Sequence, residues 1–227
     1  MSLNTILAIS ESVSINDQKL VGQVLSRNQR ISTSELLTVQ PFEFTMNPMK
    51  YLLYSQNRSL LSTLRVNDKA LEQYLNFTYI GWLNYIAYQG EMTSGNIAAC
   101  NWQTSSANKT LVLGDFPGGI SSGDYVVKTG DFCQVGRYCY IATADVQRGG
   151  GSTVNIPVHR NLIENLVSEV GAVIGQYGTT ISMGGDNYVG VTFPVILKEY
   201  PTYTLVPMTN DSFISWNGPF VAIEDVL

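Results

Sequence analysis

One histidine, His159, is present in 227 residues, and the three cysteines are Cys100, Cys133 and Cys139. A histidine-dependent hydrolase would have to run through His159, with Cys133 or Cys139 as nucleophile and Asp131 or Asp145 as the orienting acid. No spacing demands that set, and the plainer reading of His159 is a strand-end residue bonded to neighbouring backbone. Zinc sites use Cys-x-x-Cys pairs or histidines at helical spacing, and neither occurs, so no metal is expected. The phosphate-cradling pattern Gly-x-x-x-x-Gly-Lys is also missing. Glycine clusters at 118–119, 149–151 and 184–185 read as hairpin tips rather than nucleotide loops, so no cofactor is expected. With no catalytic set in view, the chain reads as a non-enzyme. An odd, sparse cysteine count points to reduced thiols.

Charge is scarce as well. Asp, Glu, Lys and Arg make up 14% of the residues, where an ordinary domain carries about 25%. The 13 basic residues are outnumbered by 18 acidic ones, for a net charge of -5. No window clusters Lys and Arg as a grip on phosphate backbones requires, so nucleic acid is not expected as a bound ligand. Long apolar runs are lacking too, since nothing approaches the roughly 18 residues that span a bilayer. The start, MSLNTILAISES, has no basic stretch ahead of its short apolar run and does not read as a secretory signal. The expectation is a soluble protein made inside a cell. So much uncharged surface beside 44% hydrophobic residues favours broad contact with other chains.

What the sequence does contain is strand signal. Short runs rich in Val, Ile, Thr, Tyr and Phe recur between Gly, Asn, Asp and Ser. Residues 11–16 (ESVSIN) alternate, and Asp17 and Gln18 read as a turn into KLVGQVLS, which makes a hairpin. Residues 38–45 (TVQPFEFT) alternate again, with Pro41 marking an edge or a bulge. Further strands are expected over 109–113, 125–128, 138–143, 153–158, 188–197, 202–206 and 220–223. Between residues 47 and 77 the period changes. Leu52, Leu53, Leu60, Leu61, Leu64, Leu71, Tyr74 and Leu75 recur at helical spacing, with Asn57 as a cap for one helix and Asn67 or Asp68 for a second that has Glu72 in its first turn. Residues 162–173 read either as a helix or as a pair of strands.

The fold class expected is mainly β: an antiparallel sandwich or incomplete barrel with one or two short helices. No internal repeat divides the chain, so residues 1–227 read as a single domain with an excursion at 81–124. The aromatics Tyr79, Trp82, Tyr85, Tyr88 and Trp102 fit a subunit interface, or a shelf on which sugars stack.

Four phrases carry a likeness: VSINDQKLVGQVLSRNQRISTSELLTVQPFEFTM, YLLYSQNRSLLSTLRVNDKALEQYLNF, KTGDFCQVGRYCYIATADVQRGGGSTVNIPVHRNLI and YPTYTLVPMTNDSFISWNGPFVAIEDVL. They span about residues 13–77 and 128–227. Together they resemble the tail-tube and distal-tail baseplate proteins of tailed bacteriophages, in which a GDF…GRY…HR run and a closing W.G.F..IE.VL strand recur. In residue terms, Gly130 and Asp131 turn the chain into a strand, Gly136 turns it back, and residues 153–158 return beside the pair. The resemblance implies a tail-tube type domain whose copies form a ring, a hexamer, through which DNA passes without specific binding. It implies a structural subunit at the tube-baseplate junction and an assembly hub for other tail proteins. It also implies assembly in the host cytoplasm and residence in the virion. Trp82, Tyr85, Tyr88, Trp102, His159 and Arg160 are then the candidate subunit-contact residues. The alternative is a carbohydrate-binding β-sandwich in host recognition.

Overall fold

A computed structural model describes residues 3–17, 21–25, 31–35, 41–66, 72–77, 83, 85–103, 105, 108–163, 170–177 and 189–226. The chain runs α1 (Leu3–Ala8), β1 (Ser10–Asn16), β2 (Val21–Leu25), β3 (Ile31–Glu35), β4 (Glu43–Pro48), β5 (Leu52–Leu53), α2 (Tyr54–Val66) and β6 (Gln73–Asn76). Next come α3 (Ser94–Ala99), β7 (Asn101–Gln103), β8 (Thr110–Gly114), β9 (Tyr125–Val127), β10 (Phe132–Val135), β11 (Tyr138–Ile141), β12 (Val146–Gln147) and β13 (Thr153–Pro157). The last strands are β14 (Val170–Gly171), β15 (Val173–Ile174), β16 (Gln176–Tyr177), β17 (Val189–Gly190), β18 (Thr192–Glu199), β19 (Tyr203–Met208), β20 (Asp211–Trp216) and β21 (Phe220–Glu224). The protein is mainly β, the pairings are antiparallel and helices are few, as the composition of the strands leads one to expect.

The chain forms two compact units, 1–75 with 194–227, and 76–193. Sequence reading expected one domain with an excursion at 81–124; the second unit is longer than that and carries its own core. It lies in the chain between β6 and β18, which are neighbours in one sheet of the first unit. Its two ends meet inside it, where the rings of Phe77 and Phe193 pack edge to face at 5.7 Å.

In the first unit, a five-stranded sheet has the order β1-β4-β21-β18-β6. β4 alternates so that Phe44, Met46 and Pro48 are buried, the period of a strand with one covered face. β1 pairs with β4, setting Val13 opposite Met46 and Ile15 opposite Phe44. This apolar matching explains why the expected hairpin of β1 with the next strand does not form; β2 pairs with β3 instead. Pro41 precedes β4 rather than lying in it. β4 is paired on both sides, where a residue without an N–H would break the ladder. α1 buries Leu3, Ile6 and Leu7, a three-and-four spacing that makes one apolar stripe.

Asn57 is not a cap. α2 begins at Tyr54, and Asn57 lies within it, its Nδ2 donating to the Leu53 carbonyl at 2.8 Å. The first-turn N–H groups of a helix need outside acceptors, and one comes from β20. The Asp211 carboxylate accepts from Ser55 N–H at 3.3 Å, Ser55 Oγ at 2.6 Å and Ser212 N–H at 2.7 Å. These donors hold the Asp211 carboxyl below its ordinary value. Residues 73–76 are strand β6, not the second helix expected there, and its proposed caps Asn67 and Asp68 lie outside the described residues. Within 162–173 the described part includes the short strand β14 and the start of β15, so the strand reading holds for that part.

The second unit joins a four-stranded sheet, β13-β8-β7-β14, to a three-stranded one, β11-β10-β15, with the ribbons β12-β9 and β16-β17 beside them. Its core gathers Trp102, Leu111, Leu113, Val126, Tyr138, Tyr140 and Ile156. β10 and β11 form the hairpin expected from GDFCQVGRYCY, with Gln134 opposite Cys139. Gly136 turns it at φ +58° and Gly130 enters it at φ +97°, left-handed values that glycine adopts without strain. The return strand β13 pairs with β8, not β11. It reaches the hairpin at its end, through the Ala142–Val158 bridge and the bonds from Thr143 N–H to the Pro157 carbonyl and from His159 N–H to the Ile141 carbonyl; along its length Leu111 and Leu113 of β8 give Ile156 and Val154 apolar partners.

Candidate functional site

The residues singled out from the sequence fall in the second unit, and most of them hold it together. Trp102 has no exposed surface. Its Nε1–H donates to the Gln134 carbonyl at 2.7 Å, tying β7 to β10 across the core, since a buried indole N–H needs an acceptor. Arg160 is 2% exposed; it donates to the Cys139 carbonyl at 2.7 Å and sits over the Tyr140 ring at 5.3 Å. Tyr140 Oη in turn accepts from Ile163 N–H at 3.0 Å. Tyr88, half-buried, donates to the Val126 carbonyl at 2.5 Å and accepts from Met92 N–H at 3.2 Å; burial pushes its phenol pKa up. Tyr85 packs on Phe77 and Phe132, ring centroids at 5.8 and 4.9 Å. Trp82 and Tyr79 lie outside the described residues. Trp102 therefore offers no face to a neighbouring chain or a sugar in this structure, and Tyr88 spends its hydroxyl internally.

His159 is half-buried at the end of β13. Its N–H donates to the Ile141 carbonyl at 3.0 Å and its Nδ1 accepts from Ile141 N–H at 3.0 Å, which fixes Nδ1 as the unprotonated nitrogen. Cys139 Sγ donates to the Thr192 carbonyl at 3.2 Å. All three thiols are free and buried. Burial pushes Cys133 up and Cys100 up to about 11, so both stay protonated and weakly nucleophilic at neutral pH. Among the described residues, no three His, Cys, Asp or Glu side chains gather as metal ligands.

Asp131 is a buried acid of the second unit, 1% exposed. Its carboxylate accepts from Gln89 N–H at 2.9 Å and Lys128 N–H at 2.8 Å. Desolvation raises its pKa against the pull of those donors. The acid holds a loop to the turn that feeds β10, a structural task.

The exposed apolar residues lie elsewhere, in the first unit. Tyr51 is 74% exposed, and Met49, Leu205, Val206 and Met208 are exposed with it. All five belong to two short pieces of chain: the turn between β4 and β5, and β19. β19 is the outer strand of the sheet β19-β20-β5, and from Thr204 to Met208 every residue is exposed. Leu205 stands opposite Ile214 and Val206 opposite Phe213, so adjacent residues present apolar side chains on both faces of the strand. Sequence reading took 202–206 as an ordinary strand; the signal it passed over is Leu205–Val206, an apolar pair where a half-covered strand alternates. Against this sheet, Tyr51 packs edge to face on Phe213 at 5.6 Å. Beside it lies a groove lined by Lys50, Tyr51, Phe213 and Ser215, continuing to Glu11, Asn47 and Trp216.

No family model matches the chain, and no curated protein matches it.

Proposed function

We propose that this protein is a structural subunit of a bacteriophage tail, at the junction of tube and baseplate, whose copies form a ring around the DNA channel and serve as an assembly hub. The observation that carries the reading is β19. Among the described residues it is an unpaired sheet edge, YTLVPM, without a charged residue and with exposed apolar side chains on both faces. Edge strands of chains that stay apart are blunted by lysines, bulges or covering loops. An edge left apolar is suited to being covered by another chain, and head-to-tail contact between identical copies closes into a ring when the rotation permits. Low total charge and an acid excess are in keeping with it. Extended contact needs little repulsion between copies, and a net negative subunit leaves DNA free to slide. The likeness of the GDFCQVGRYCY and WNGPFVAIEDVL phrases to tail proteins directs the choice among ring-forming proteins.

Negative-stain microscopy of the purified protein at high concentration tests it. Rings or stacked discs are expected. A species that stays monomeric and monodisperse at every concentration would overturn the proposal.

A further inference from the structure

The groove over β20 combines features that a covered interface does not need. It has two connected parts of about 140 and 230 Å³ that share Lys50 and Ser215. The first is walled by the rings of Tyr51 and Phe213; the second by Glu11, Asn47 and Trp216. Tyr51 holds φ +70°, a left-handed backbone that is unfavourable for a bulky residue. Glycine would make the same turn between β4 and β5 without strain, yet a tyrosine occupies it and projects its ring, 74% exposed, over the groove. Backbone strain that presents a side chain to solvent is characteristic of sites that bind. The charge lining the groove is one ammonium, Lys50, and one carboxylate, Glu11, which balance, so neither an anion nor a cation is favoured. The remaining polar groups are an amide, Asn47, and a hydroxyl, Ser215. Asn47 Nδ2 already donates to Ser12 Oγ at 3.0 Å, which leaves its carbonyl oxygen to accept. Trp216 adds an aromatic ring to the wall of the second part.

We propose that this groove binds a neutral oligosaccharide, with one sugar ring against Tyr51 and the next sugar's hydroxyls on Asn47, Glu11, Lys50 and Ser215. A sugar ring offers an apolar C–H face to an aromatic and hydroxyls that both donate and accept. An aromatic rim beside a short row of uncharged and charge-balanced polar groups matches that chemistry. The site differs from the aromatic shelf expected at Trp82, Tyr85, Tyr88 and Trp102. Val206 of β19 also lines the first part, so a copy paired along the outer edge of β19 leaves the groove open, whereas one laid over that face of the strand closes it. The inference rests on the lining of the groove, not on ring formation.

The test is a titration of the full-length, ¹⁵N-labelled protein with maltohexaose, cellohexaose and chitohexaose, followed by the indole resonance of Trp216 and the amides of 47–51. One of the three is expected to shift these resonances in a saturable way. Tyr51→Phe keeps the affinity, whereas Tyr51→Gly weakens it by about tenfold or more, the scale of one aromatic contact. Tyr51→Gly is expected to unfold at the same temperature as the parent or higher, which separates loss of binding from loss of fold. No saturable shift with any of the three sugars, or a Tyr51→Gly variant that binds like the parent, overturns the proposal. So does a response to an extended peptide in place of sugar, which would make the groove a protein-docking site.

Discussion

At the scale of single residues, the side chains that look most like equipment for chemistry are occupied in holding the second unit together. Asp131 shows how. Removing its carboxylate leaves the N–H groups of Gln89 and Lys128 without their acceptor, and each buried donor left unsatisfied costs about 1–3 kcal/mol. Asp131→Ala is therefore expected to destabilise the protein by roughly 2–5 kcal/mol in urea unfolding. Asp131→Asn is milder, because its amide oxygen still accepts from one side. Its pH dependence has a definite sign. The folded-state pKa of Asp131 is raised above the ordinary 3.8, so the folded state holds this proton more tightly than the unfolded one. The associated stability is fully present below 3.8 and is lost as pH rises through the raised value. Asparagine does not titrate. The difference in stability between the parent and Asp131→Asn is thus expected to be larger at pH 3.5 than at pH 7, and urea curves at the two values check it. An equal or smaller difference at pH 3.5 would show that the backbone donors, not desolvation, dominate this carboxyl.

At the scale of elements, β19 and α2 show what neighbours decide. α2 takes its first-turn acceptor from Asp211, a residue distant in sequence on β20, so its start could not be read from the local cap signals around Asn57. β19 looks like any other strand in sequence, and only the sheet order makes it an edge. Leu205 and Met208 are exposed, and lysines there would blunt the edge in the way natural edge strands do. The double change Leu205→Lys with Met208→Lys is expected to leave the far-ultraviolet circular dichroism and the unfolding temperature nearly unchanged, since neither side chain is buried. Sedimentation velocity should then show single subunits in place of the proposed rings. Rings that persist would place the contact elsewhere on the surface. The strands themselves were largely legible: β1, β8, β9, β11, β13, β19 and β21 fall where alternation puts them, within a residue or two at their ends. What was illegible was pairing. Alternation says which face of a strand is buried, but not which other strand lies beside it: β1 was expected to pair with the next strand and β13 with β11, whereas β1 pairs with β4 and β13 pairs along its length with β8.

At the scale of the molecule, the division into 1–75 with 194–227 and 76–193 left no mark in composition. No linker announces it, because the chain passes between the units within β6 and β18, two regular strands. The second unit has its own buried cluster from Met92 to Ile174, and Phe77 and Phe193 clasp its two ends. A unit with its own core and adjacent termini is the arrangement that tolerates being cut out. Residues 76–193 expressed alone are expected to unfold cooperatively, with the fluorescence of Trp82 and Trp102 shifting to the red in a single transition. A broad, non-cooperative change would show that the second unit needs the first to fold.

The sequence by itself determined the fold class of this protein and the local shape of its strands and turns: few charges, alternating β-formers, and glycines at Gly130 and Gly136 where a left-handed backbone is required. These follow from short-range physics, in which side-chain period and backbone sterics act within a few residues. The tertiary structure alone decided that Trp102 and Arg160 are interior ties, that β19 is an open edge and that Tyr51 stands over a groove. Exposure is a property of what packs against a residue, and for each of these the packing partner lies far away along the chain.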